Sequence, residues 1–276
     1  MKHAFTQVDV FTDAPLRGNP LAVVHGADGW TDAQMQTFAR WTNLSETTFL
    51  SRPTTPDADY RVRIFTPGGE LPFAGHPTLG SCHAWLEQGG VPRRDGRVVQ
   101  ECGVGQVQIR RDGARAAFAA PPSRREDVDP ALLAKVLAAL GVTPAQVRAA
   151  QWLDNGPKWL GLLLDDAASV LRVEPDHAAL KSLAKVGLVG AHSSGDTQYE
   201  LRAFAAPIGV AEDPVTGSLN ASVAQWLIGA GVAPARYVAS QGTRLDRAGR
   251  VYIESDGDTL WVGGHSVTCI RGELTL

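Results

Sequence analysis

Cysteine is scarce in this chain: Cys82, Cys102 and Cys269 are the only three among 276 residues, an odd number set far apart. Without an export signal, such spacing argues against a disulfide framework. No CxxC or HxxxH pattern occurs, and Cys82-His83 is the only Cys/His adjacency, so no metal is expected. Long apolar runs are missing as well; no stretch reaches the roughly 18 residues that would mark a spanning helix, and no membrane partner is expected. An excess of basic charge is also absent, with 26 Lys and Arg against 29 Asp and Glu, a net charge of −3. The Arg pairs at 93–94, 110–111 and 124–125 form no continuous run, so nucleic acid is not an expected partner. The N-terminal residues show neither a signal h-region nor an amphipathic presequence, which predicts a cytoplasmic location.

What the chain does contain is a long internal repeat. Tyr60–Phe65 (YRVRIF) and Tyr199–Phe204 (YELRAF) share Tyr, Arg and Phe at an offset of 139. Ser81–Val91 falls on Ser222–Val232 at an offset of 141, keeping Ser, Trp-Leu and Gly-Val. Glu101-Cys102-Gly103 and Ser240-Gln241-Gly242 then each precede a strand-like run. Strand, turn, helix and strand recurring in order indicate a duplication, with a period too long for a solenoid. A chain of 276 residues has room for two domains, each with its own core. The expected boundaries are 1–120 and 125–264, with 265–276 returning to complete the first, and the proline- and charge-rich 119–130 reads as the linker.

Two segments, ELPFAGHPTLG (70–80) and EDPVTGS (212–218), lie at matching points of the repeat. Each is predicted to open a helix, and the two entrances are expected to line one cleft. Proline just inside a helix start forfeits no hydrogen bond, and Pro77 is read as such a start. The unpaired first amides and the positive end of the dipole then form an anion site. Gly75 admits a ligand close to the backbone. At such an end the protonated form of His76 is disfavoured, which suits a neutral acid/base. The plainer reading makes His76 a cap and Asp213-Pro214 an ordinary N-cap and N1 pair. Singly, each segment reads as structural; together they favour a carboxylate-clamping cleft.

Elsewhere the pattern predicts strands over 4–11 and 18–24, and Thr31 as the N-cap of a short helix whose apolar face begins with Phe38 and Trp41. In NLSETTFL (43–50) a polar turn enters a strand, with Glu46 at its start; alone, this residue reads as a solvated carboxylate. Helices are expected at 131–140 and 175–185, and short strands at 251–254, 260–262 and 267–270. Cys82 lies on the apolar face of its helix and is expected in the core.

GNP-x-AVV up to Val24, NLSET from Asn43, FTPxxELPFAGHPTLG from Phe65, DNGP-x-W from Asp154 and EDPVTGS from Glu212 together resemble the phenazine-biosynthesis isomerase (PhzF-like) family over nearly the whole chain. That resemblance implies an α+β, diaminopimelate epimerase-like fold. It has two pseudo-symmetric domains, each a mixed β-sheet around a central α-helix, with the active site in the cleft between them. Carried over by motif, Glu46, His76 and Asp213 take the catalytic places, and Gly75, Gly217 and Ser218 the substrate-binding ones. The implied chemistry is a cofactor-free shift of a proton and a double bond on a small unsaturated or cyclic carboxylate, of the trans-2,3-dihydro-3-hydroxyanthranilate type. Glu46 would move the proton, with its pKa raised by a dry site. A homodimer is also implied.

Related epimerases carry a cysteine at each helix entrance, where this chain has Gly75 or His76 and Thr216 or Gly217, so a two-thiol racemase is not expected. The segment 243–254 departs from the family's usual glycine-arginine stretch, which leaves the substrate open. The alternatives are an amino-acid epimerase using carboxylate bases and a non-catalytic carboxylate-binding protein.

Overall fold

The computed structural model describes residues 2–275. The chain divides into two units: one runs to Ala119 and resumes at Gly263, and the other is the continuous segment Ala120–Val262.

In the first unit, β1 (Lys2–Val10) pairs antiparallel with β2 (Asn19–Val24), and α1 (Asp32–Thr42) crosses over to β3 (Thr47–Ser51), parallel to β2. β4 (Tyr60–Thr66) turns back through β5 (Gly69–Leu71) into α2 (Gly75–Glu87). β6 (Arg97–Cys102) then returns parallel to β4, followed by the antiparallel β7 (Gly105–Asp112) and β8 (Arg115–Ala119).

The second unit opens with β9 (Arg124–Glu126), α3 (Pro130–Leu140), and the hairpin of β10 (Val147–Asp154) with β11 (Lys158–Leu164). Two short helices, α4 (Ala167–Arg172) and α5 (His177–Leu180), lead to β12 (Val186–Ala191), parallel to β11. β13 (Tyr199–Ala205), β14 (Val210–Asp213), α6 (Gly217–Gly229), β15 (Arg236–Gln241) and β16 (Gly249–Ser255) follow, and β17 (Leu260–Thr275) carries the chain back into the first unit.

The duplication is visible in this topology. In each unit a strand makes an antiparallel return, enters a 13-residue helix, and is joined in parallel by the strand that follows the helix. The register repeats too: Tyr60 lies opposite Gln100 and Arg61 opposite Glu101, as Tyr199 lies opposite Ala239 and Glu200 opposite Ser240. The fold is α+β of the diaminopimelate epimerase type, with mixed sheets and one central helix per unit.

Both central helices are buried nearly all round, as helices without a polar face must be. α2 packs on β1, β2, β3, β6 and β8, and Gly80 makes this possible. A Cβ there would stand 2.6 Å from Leu21 Cδ2 and 2.8 Å from Val10 Cγ2. In the second unit the close approach is made by the strand instead, since a Cβ on Gly187 of β12 would meet Leu219 Cδ1 at 2.2 Å. The cores differ. Under α1 it is aromatic, with Phe38, Phe49 and Phe65 joined by Phe5 and Trp30, while the core beneath α3 is aliphatic, built from Val136, Leu140, Leu160, Leu162 and Leu188.

Several local expectations need correction. Pro77 is the third helical residue, after an N-cap at Ala74. It costs nothing there because the third amide of a helix also lacks an intrahelical partner. Asp213 is not an N-cap; it ends β14, and Thr216 occupies the cap position. Trp41 is 78% exposed and stacks on Phe38 from outside the core. The 119–130 segment contains β9, which pairs with Trp152–Asp154 of β10. The helix expected over 175–185 is a single turn, and the two last short strands are one 16-residue strand. Thr31 does form a capping box with Gln34, Asp129 caps α3 ahead of Pro130, and Cys82 is fully buried. Among the described residues no helix is long and apolar enough to cross a membrane.

Candidate active site

Glu46 stands at the end of the turn that follows α1, just before β3. Asn43 ends α1 in the left-handed region at φ 54°, which bends the chain away from the helix axis. The Thr42 and Thr47 hydroxyls, 2.9 Å apart, tie the two sides of that turn together. Glu46 is thereby turned toward α2, whose second residue is His76. The carboxylate Oε2 lies 3.6 Å from His76 Nδ1. The imidazole is 5% exposed and the carboxylate 17%, so the solvated reading of Glu46 does not hold. Burial pushes its carboxyl from 4.5 up to about 7, against a smaller opposing effect of the Ser45 hydrogen bond. A hydrogen bond from Ser81 Oγ in α2 to Thr48 Oγ1 in β3, 2.9 Å long, fixes the helix to the strand that Glu46 enters.

Asp213, Gly217 and Ser218 sit together in the second unit. Asp213 Oδ2 accepts from the Thr216 hydroxyl at 2.5 Å. Gly217 and Ser218 are the first two residues of α6. Ser218 is held by two residues of the DNGP-x-W motif: Trp159 Nε1 donates to its hydroxyl at 3.2 Å, and Asn155 Nδ2 to its carbonyl at 2.8 Å. The neighbouring Glu212 faces elsewhere and forms a forked ion pair with Arg202.

The helix starts are also distinctive. α1, α3, α4 and α5 are each capped by a side chain, Thr31, Asp129, Asp166 and Asp176 respectively. α2 and α6 are not: Ala74 has no side-chain acceptor, and the Thr216 hydroxyl is turned to Asp213 instead of to the helix amides. The two helices that carry the candidate residues therefore present first-turn N–H groups that no cap side chain takes, an arrangement suited to a carboxylate. Among the described residues no three His, Cys, Asp or Glu side chains gather into a metal-holding group.

The structure brings Glu46 and His76 together in the first unit, and Asp213, Gly217 and Ser218 together in the second. Sequence reasoning assigned no role to Asn220, Gln241, Asn155 or Trp159. The last two stood in a quoted motif without a role. Gln241 carried no signal beyond its place next to Gly242.

The sequence model of the family described as "Phenazine biosynthesis-like protein" matches residues 8–272. A protein of Schizosaccharomyces pombe named "Antisense-enhancing sequence 1" is 37% identical, covering 99% of this chain and 98% of that one. The trans-2,3-dihydro-3-hydroxyanthranilate isomerase of Pseudomonas aeruginosa is 34% identical, covering 92% of this chain and 91% of its own. Among solved structures, a PhzF-family phenazine biosynthesis protein of Enterococcus faecalis superimposes with a TM-score of 0.84 at 25% identity, over the full length of both chains. With its two duplicated units and its uncapped central helices, the chain belongs to the phenazine biosynthesis-like (PhzF) family, whose relatives include isomerases.

Proposed function

We propose that this protein is an isomerase that moves a proton and a double bond on a small unsaturated or cyclic carboxylate, without a cofactor. The observation that carries the reading is Glu46: a carboxyl pushed up to about 7 by burial, 3.6 Å from the imidazole of His76. A group that must first take a proton from carbon and then return it works best near the ambient pH, where both forms are populated. In the ionised form, Glu46 removes a proton from a carbon next to the unsaturated system. The C–H electrons enter the π system, the double bond shifts, and the Glu46 carboxyl, whose proton exchanges with solvent, delivers a proton to the far carbon. Nothing is oxidised or reduced, and Glu46 ends as the carboxylate it began as.

His76 and Asp213 orient the substrate and hold its polar groups, while the first-turn amides at Gly75 and His76, and at Gly217 and Ser218, take its carboxylate. No cysteine stands at either helix entrance, which favours this reading over thiol racemisation. A homodimer remains part of the proposal, to be tested by sedimentation at several concentrations.

The test is proton NMR in D2O with trans-2,3-dihydro-3-hydroxyanthranilate, comparing wild type with Glu46→Gln. Conversion with solvent deuterium entering a ring carbon, and none in the variant, supports the reaction and its base together. Binding without conversion would point to another carboxylate. Full activity in the variant would remove Glu46 from the mechanism.

A further inference from the structure

In the second unit, Gln241 at the end of β15 is 1% exposed and uses its whole side-chain amide at the entrance of α6. Its Oε1 accepts from the Thr216 backbone N–H at 3.0 Å and from Asn220 Nδ2 at 2.9 Å. Its Nε2 donates to the Asp213 carbonyl at 3.0 Å and to the Thr216 hydroxyl at 2.9 Å.

Two of these partners are backbone groups of fixed polarity. The Thr216 N–H can only donate and the Asp213 carbonyl can only accept, so the amide has one possible orientation. Nε2 therefore faces the Thr216 hydroxyl with a hydrogen, and that oxygen must accept there. The single hydroxyl hydrogen is then left for Asp213 Oδ2, 2.5 Å away. The direction of the whole chain, from Gln241 through Thr216 to Asp213, is set by the backbone.

The backbone is shaped for this contact. Gly242, at φ 91°, lies so close to the segment that a Cβ would stand 2.7 Å from the Pro214 carbonyl oxygen. On Gly249, a Cβ would meet Val215 Cγ2 at 2.5 Å. The first unit offers a parallel that ends differently. Gln100 of β6 also reaches the fourth residue of its helix, donating to Thr78 Oγ1 at 3.1 Å, but the Thr78 hydroxyl then donates to the Ala74 carbonyl. Only the copy in the second unit ends on a carboxylate.

We propose that Gln241 and Thr216 are positioning residues that commit Asp213 Oδ2 as the acceptor of the Thr216 hydroxyl and so fix how the Asp213 carboxyl is presented to a substrate. This rests on Asp213 being part of the reactive machinery, as proposed above.

The kinetic test uses Thr216→Val, which keeps the shape and removes the hydroxyl, and Thr216→Ser, which restores it. The valine variant should lose ~10- to 100-fold in kcat with little change in KM, the scale of a misplaced reacting group. The serine variant should recover most of that loss. In an Asp213→Asn background, Thr216→Val should cost almost nothing further; losses that simply multiply would overturn the proposal.

A second measurement does not depend on turnover. In threonine-labelled protein, the Thr216 hydroxyl proton should appear as a slowly exchanging, downfield NMR signal. It should vanish in Gln241→Glu while the amide spectrum keeps its native dispersion. If that signal survives Gln241→Glu, or is absent from the wild type, the positioning role fails. If the signal behaves as expected but no substrate turns over, the reading of the reaction fails and the hydrogen-bond chain stands.

Discussion

Arg202 closes a fork on Glu212, with Nε to Oε1 at 2.9 Å and Nη2 to Oε2 at 2.8 Å, and the two side chains are 4% and 7% exposed. The same guanidinium donates to the Val173 carbonyl at 2.6 Å, so it joins β13, β14 and the end of α4. Adjacent acids in one motif thus do different work. Glu212→Gln should destabilise the protein by about 3 kcal/mol, since one charge is left buried without its partner. Asp213→Asn should leave the urea midpoint nearly unchanged and lower turnover. Denaturation and activity, measured side by side on the two variants, check this separation.

Glu46 gives stability a pH dependence of definite sign. Its folded value of about 7 lies above the unfolded 4.5, so between these pH values the folded state holds the extra proton. Stability from this group is therefore fully present below about pH 4.5 and is lost as pH rises through 7. Glu46→Gln removes that loss. The variant should gain roughly 2–3 kcal/mol over wild type at pH 8 and nothing at pH 4.5, a difference that urea melts at the two pH values would show. The wild-type rate should rise with pH to a plateau above about 7, as the ionised base is populated.

Gly80 sets the distance between α2 and the strands beneath it. Gly80→Ala would push a methyl group into Val8, Val10 and Leu21, at a cost of about 1–3 kcal/mol for overpacking. Because α2 also carries His76, the displacement should lower turnover as well as the melting temperature. Gly69→Ala, at a position with no atom within 4 Å of the added methyl, is the control and should do neither.

The thiols offer a test of the chemistry. Cys82 is fully buried, and burial pushes its thiol up to about 12, so it should resist alkylation in the native protein. Cys102 and Cys269 are partly exposed and should react first. Cys82→Ala should keep full activity with a stability loss of about 1–2 kcal/mol, read from activity and melting curves. Loss of turnover in this folded variant would return a thiol mechanism to consideration.

The legible parts of the fold were those written in local chemistry. Thr31 announced its helix because a threonine ahead of an apolar-periodic run is a local capping signal, which the structure completes with Gln34 three residues on. The repeat was readable because duplicated strands keep their aromatic and apolar places. Glu46 and His76 entered the candidate site only through the motifs that carry the family resemblance, since local chemistry alone made Glu46 a solvated carboxylate. The Gln241 chain could not be anticipated. Its partners are 21 to 28 residues away, and a glutamine at a strand end looks like an ordinary surface residue until the packing of α6 buries it. The helix over 175–185 was overestimated for a similar reason. Its composition suits a helix, yet its buried contact is made by Leu180, which a single turn brings inward.

β17 has a further consequence, in the order of synthesis. β1 precedes the second unit in the sequence, yet along its whole length it pairs with residues 266–275, which follow that unit. The second unit is continuous in sequence and can finish folding once Val262 is out. The first unit, which holds Glu46 and His76, keeps one edge of β1 unpaired until residues 266–275 have also left the ribosome. A nascent chain that has exposed its residues up to 262 but not 266–275 should therefore protect the second unit from protease and leave the first open to it.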